Sequence, residues 1–91
     1  MKIALLGYGR MGKEIEKIAV SRGNEIVLKI GADNLDDLTQ ENLSTFDICA
    51  IITNHDEVDY DLIFRNSQLI LDTRNVYSGN KDKKIIRLGN S

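Results

Sequence analysis

The chain has 91 residues, 42% of them apolar, and a formal net charge of −2; that supports one modest core and speaks against the basic stripe of a nucleic-acid binder. A single cysteine, Cys49, and a single histidine, His55, exclude a disulfide framework and a Cys/His metal cluster. No apolar run is long enough for a signal h-region or a membrane span, so the expectation is a soluble, cytoplasmic domain with neither nucleic acid nor membrane as partner.

Ile3-Ala4-Leu5-Leu6 is a short continuous apolar run ended by glycine, the pattern of a strand buried on both faces. After Gly7-Tyr8-Gly9-Arg10-Met11-Gly12, the apolar positions Met11, Ile15, Ile18 and Ala19 fall at i, i+4, i+7 and i+8, one face of a helix. Lys13, Glu14, Glu16 and Lys17 are assigned to the opposite face, and Gly23-Asn24 is a stop signal. Ile26–Ile30 is a second strand, which completes a βαβ unit. Residues 31–46 are polar, with Leu35, Leu38 and Leu43 anchoring one or two helical turns. Asp47–Thr53 is a third strand. Asn54 and Glu57 have capping-box spacing and predict a helix start there, with Val58, Leu62 and Ile63 turned inward. Leu69–Leu71 is a fourth strand, Asp72–Lys83 a polar connection, Ile85–Leu88 a fifth strand, and Gly89-Asn90-Ser91 a tail.

This alternation predicts an α/β fold: a minimal five-stranded parallel Rossmann-like sheet of order 2-1-3-4-5, with two main helices, in a single domain over residues 1–91. The switch point falls between strands 1 and 3, where such sheets bind ligands outside the carboxyl ends of their strands. The weakest joint is Asp72–Lys83, because a parallel crossover normally needs a dozen or more residues. The exposed edges of strands 2 and 5 point to a monomer or a weak homodimer.

Three glycines between a strand and an amphipathic helix form the G-x-G-x-x-G pattern in the context that gives it meaning. Gly7 allows the tight turn, Gly9 lets a pyrophosphate approach the backbone, and Gly12 lets the helix pack close. The helix start offers unpaired N–H groups to an anion. NAD or NADP is the expected ligand, and the candidate cofactor-binding residues are Gly7, Tyr8, Gly9, Arg10, Met11, Gly12, Asp33 and Thr53. The acidic residue that usually closes this fingerprint would fall near position 31, where Gly31 stands; Asp33, two residues later, is the substitute. Arg10 or Lys13 would instead meet a 2′-phosphate, although a solvated helix terminus explains Arg10 equally well.

The stretch Lys2-Ile3-Ala4-Leu5-Leu6-Gly7-Tyr8-Gly9-Arg10-Met11-Gly12-Lys13 closely resembles the N-terminus of dihydrodipicolinate reductase, a likeness that extends through residues 34–43. That family implies NAD(P)H binding here. Thr53-Asn54-His55-Asp56, Asp59–Ile63 and Ile70-Leu71-Asp72-Thr73-Arg74-Asn75 resemble the C-terminal domain of UDP-glucose and UDP-N-acetyl-mannosamine dehydrogenases. That second resemblance implies a place near a nucleotide for Arg74. The chain therefore reads as a fusion of two half-domains, 1–45 and 46–91, with a seam within 35–47. An engineered chimera is the leading account and a natural short domain the alternative. The catalytic segments of both families are missing, so no catalytic or metal residue is assigned and the expectation is a binding module rather than an enzyme. A structural scaffold with no ligand is the alternative function.

The remaining reactive groups have plainer explanations. Cys49 sits mid-strand between Ile48 and Ala50 and belongs to the core. His55 is a possible ribose or phosphate contact beside a helix cap. Asp72 ends a strand without a nucleophile nearby, Tyr60 is half-buried core, and Lys81, Lys83 and Lys84 keep the last connection solvated.

Overall fold

β1 (Lys2–Leu6) lies between β2 (Glu25–Ile30) and β3 (Ile48–Ile51), followed by β4 (Ile70–Asp72) and β5 (Ile85–Arg87), in a computed structural model that describes residues 1–87. Every pairing is parallel, and the order is β2-β1-β3-β4-β5, as the alternation predicts. Leu88 and the tail Gly89–Ser91 lie outside the described residues.

Three α-helices accompany the sheet: α1 (Arg10–Ser21), α2 (Gln40–Leu43) and α3 (Tyr60–Asn66), with a 3-10 segment over Ala32–Asp37. Alternation along β1 sends Ala4 and Leu6 into one core and Ile3 and Leu5 into the other. The first core also takes Ile30, Leu43, Ile51, Ile63, Ile70 and Tyr77, under α2, α3 and the β4–β5 connection. The second, smaller core takes Ala19, Ala50 and Ile52, under α1. Each fully buried Leu or Ile contributes about 1.5–3 kcal/mol through removal from water. β2 carries a bulge, since Ile3 pairs with Ile26 but Ala4 with Leu28, leaving Val27 unmatched.

Two helix expectations need correction. The buried side of α1 is Gly12 and Ala19, with Ile15 and Glu16 partly buried, whereas Met11 and Ile18 are 49% and 54% exposed. Gly12 has no side chain, so the helix settles on the stripe that lets it approach the sheet most closely, not on its most apolar one. The helix expected from Asn54 begins instead at Tyr60. Asp59 caps it, its carboxylate accepting from Leu62 N–H at 3.1 Å. The Asn54 side chain accepts the Tyr60 hydroxyl proton at 3.0 Å, and the same hydroxyl accepts from His55 N–H at 2.8 Å. These bonds close residues 54–59 into a turn.

The β4–β5 connection crosses without a helix. Asp72, 1% exposed, accepts from the backbone N–H groups of Arg74 (3.2 Å), Val76 (3.1 Å) and Tyr77 (3.1 Å). Asp72 is thus the internal clamp of this loop. The Tyr77 ring packs edge-on to Tyr60 at 6.2 Å, and its hydroxyl donates to Tyr60 O at 2.6 Å. Lys84 is half-buried and does not merely solvate the loop. Its ammonium lies 4.3 Å from the Phe64 ring centroid and donates to the Phe64 and Ser67 carbonyls.

Candidate functional site

Because all five strands run in parallel, the segments after β1, β3 and β4 emerge at one edge of the sheet. Gly7–Gly12 and Thr53–Glu57 are neighbours there. The N–H of Thr53 donates to Leu6 O at 3.1 Å, and a Cβ added to Gly7 would lie 2.2 Å from Thr53 Oγ1. Gly7 has φ +94°, a left-handed turn out of β1 that side-chain-bearing residues rarely adopt. At Gly12 an added Cβ would stand 3.1 Å from the Gly7 carbonyl and 3.4 Å from the Tyr8 ring, so this position holds helix and loop in close contact.

Gly9 differs from both. A Cβ there would meet nothing within 4 Å. Gly9 is also the N-cap of α1, which has no side-chain cap and no acidic residue in its first turn. The other two helices are capped, α2 by Thr39 and α3 by Asp59, and each carries an acid in its first turn. The start of α1 is therefore the one α-helix N-terminus among the described residues with neither a side-chain cap nor an acid in its first turn.

The remaining expected contacts are scattered around this point. Arg10 and Met11 are exposed beside Gly9, and Thr53 is exposed on the opposite lip. Asp33 is exposed in the 3-10 segment after β2, while Gly31 donates its N–H to Asn34 Oδ1 at 2.7 Å. His55 is half-buried, its N–H held by Tyr60. Arg74 is exposed after β4, at the same edge of the sheet.

Tyr8 has a partnership that the sequence pattern did not indicate. Its hydroxyl donates to Glu16, Lys29 pairs with Glu16 at 3.0 Å, and the Lys29 ammonium lies 4.4 Å from the Tyr8 ring centroid. The bond from Tyr8 and the one from Lys29 hold the Glu16 carboxyl below its ordinary value, and Glu16 raises the Lys29 ammonium. The glycine loop, α1 and β2 are tied at one point. The available sign was a lysine inside the otherwise apolar strand Ile26–Ile30.

Two of the cavities among the described residues are well formed, and neither is lined by Gly9. One of about 320 Å³ lies between Leu35, Asp36 and Leu38 on one side and Glu57–Asp59 and Leu62 on the other. The second, about 250 Å³, is bordered by Asn75, Ser78, Lys81 and Arg87. No group of His, Cys, Asp and Glu side chains among the described residues could hold a metal ion, and no described helix is long and apolar enough to cross a membrane.

Cys49 is 1% exposed, and burial pushes its thiol from about 9 to about 12. It should resist thiol reagents at pH 8 in the native chain and react fully in denaturant, as titration with a chromogenic disulfide would show. The folded state holds this proton more tightly than the unfolded one. The associated stability is complete below pH 9 and falls as pH rises from 9 towards 12. Burial also raises the Tyr77 hydroxyl, which adds to the effect. Urea midpoints at pH 7.5 and pH 10 should differ by about 1–2 kcal/mol in stability, with the alkaline sample weaker.

No protein-family model matches the chain, and no solved structure matches it. A curated relative, 4-hydroxy-tetrahydrodipicolinate reductase of Christiangramia forsetii, is 48% identical over 48 residues, which is 53% of this chain and 18% of that protein. The chain thus spans under a fifth of the relative's length. This likeness supports the resemblance of the N-terminal part to that reductase. The comparisons do not touch the resemblance of the second half to UDP-sugar dehydrogenases. A Rossmann-like sheet and partial similarity to a reductase together fit a nucleotide-binding module.

Proposed function

We propose that the chain binds a nicotinamide dinucleotide as a module without a catalytic centre of its own. The pyrophosphate rests against the N–H groups at the start of α1, and the adenosine end is directed to Gly31–Asp33. The observation that carries this is the combination at Gly9: an uncapped helix N-terminus with open space where a side chain would stand. Anions bind such termini through unpaired N–H groups and the helix dipole. The similarity to a reductase over 48 residues supports the same ligand class. Residues 46–91 supply the other lip, and we read them as the second half of a fusion.

The adenosine end is rich in carboxylates, with Asp33, Asp36 and Asp37 all exposed on one short segment. They repel a 2′-phosphate, so NADH is expected to bind about tenfold more tightly than NADPH, a difference of ~1.4 kcal/mol. Titration of the intrinsic NADH fluorescence and calorimetry measure both. Gly9→Val should weaken NADH binding more than 100-fold, ~2.7 kcal/mol, because the branched side chain fills the space a phosphate needs. Arg10→Glu, which keeps Gly9, should weaken it as well, and circular dichroism verifies the fold of each variant. Saturable binding unchanged in both variants overturns the site; no binding by the parent chain leaves a scaffold without a ligand.

A further inference from the structure

A glycine on either side of Tyr8 gives the loop between β1 and α1 wide backbone freedom, and holding such a loop in one conformation is entropically costly. Among the described residues its backbone is fastened only at the ends. Gly7 N–H donates to Ile30 O at 2.6 Å, and Gly9 O accepts from Lys13 N–H at 3.1 Å. Between those two points the loop reaches the body of the domain through one side chain.

That side chain is Tyr8. Its hydroxyl donates to Glu16 in the second turn of α1, and the Lys29 ammonium of β2 stands 4.4 Å from its ring centroid. Its ring edge borders Gly12, where an added Cβ would lie 3.4 Å from Cδ1. Lys29 Nζ closes the set on Glu16 at 3.0 Å. This is the one ion pair among the described residues, in a chain with 12 basic and 14 acidic side chains. Both partners are partly open to solvent, their side chains 44% and 26% exposed. An ion pair so exposed adds little to global stability. What this one fixes is the side chain that anchors the loop.

We infer, resting on the dinucleotide reading above, that Tyr8, Glu16 and Lys29 are positioning residues that hold the glycine loop in its receptive form before any ligand arrives. The Tyr8 ring and hydroxyl are already engaged, so this side chain acts on the ligand through the backbone of Gly9 and not by contact. A loop fixed in advance spares the ligand the cost of ordering it. If loosening the set leaves the loop in place in about a fifth of the molecules, affinity falls about fivefold, because the observed dissociation constant is the intrinsic one divided by that fraction. Neither Glu16 nor Lys29 belongs to either core, so global stability is not expected to follow.

NADH titrations of the parent chain, Tyr8→Phe, Glu16→Gln and Lys29→Met, each paired with a urea midpoint, test this. Tyr8→Phe keeps the ring beneath Lys29 and removes only the hydroxyl. Each variant should bind about fivefold more weakly at an unchanged midpoint, and Lys29→Arg, which keeps a cation over the ring, should stay within about twofold of the parent. Ile63→Val, fully buried in the other core, is the control: it lowers the midpoint and should leave NADH affinity as it was. Without ligand, NMR order parameters of the Gly9 and Arg10 amides should fall from about 0.85 in the parent to below about 0.6 in Glu16→Gln and Lys29→Met. Parent binding matched by all three variants overturns the positioning role and leaves the dinucleotide reading standing. Affinity lost only in step with the midpoint overturns it too, as does amide order unchanged in both variants. No binding by the parent chain overturns the dinucleotide reading, and the positioning role with it.

Discussion

Asp72→Ala is expected to remove about 3–5 kcal/mol of stability, enough to unfold a large share of molecules at 37 °C. The buried carboxylate is shared by the backbone N–H groups of Arg74, Val76 and Tyr77. Truncation leaves three amides without this acceptor, one of them that of Tyr77, which is itself 8% exposed. Leaving even one such group unsatisfied costs about 1–3 kcal/mol. Asp72→Asn keeps one acceptor oxygen and should fall between the two. Urea unfolding followed by circular dichroism measures both losses. If Asp72→Ala costs less than 1 kcal/mol, the connection is not held by this side chain.

Gly7→Ala is the second large effect, expected at about 2–4 kcal/mol. Two causes add. A side chain at φ +94° costs about 1–2 kcal/mol, and the new methyl would stand 2.2 Å from Thr53 Oγ1, so the segment after β3 must give way. Gly7→Ala with Thr53→Ser separates them. Ser lacks the methyl but retains the hydroxyl, so the double variant should recover only a minor part. Thr53→Gly in the same background should recover the steric part and leave the conformational cost. Gly9, with open space around its missing side chain, lacks this steric term.

How far these features were legible in sequence depended on whether a local pattern controlled them. Strand order and parallel pairing followed from apolar runs separated by helix-length segments, and the crossing of residues 73–84 to a parallel β5 agrees with it. The three glycines were recognisable because strand, turn and helix stand next to one another in the chain. The start of α3 was misplaced because Asn54 had two possible partners. Capping-box spacing pointed to its own helix, but the Tyr60 hydroxyl, six residues on, is the group that bonds it. The inward side of α1 was misjudged because pattern reading counts apolar side chains, whereas close approach at Gly12 rewards the absence of one. Lys84 was read as solvated, and Asp72 was given no structural role, because their partners are backbone groups, which no residue pattern displays. The Glu16–Lys29 pair needed the relative placement of a helix and a strand.

The bulge at Val27 has a bearing on how this sheet fails. β2 is an outer strand, and the register shift between Ile3 and Ala4, which skips Val27, interrupts its regular ladder, with charged Glu25 and Lys29 on either side. An irregular, charged border is a poor template for a further strand. Were partly unfolded molecules to pair edge to edge, the β5 border is the expected template, and Lys or Pro introduced there should delay pairing, followed by thioflavin fluorescence, far more than the same change at β2.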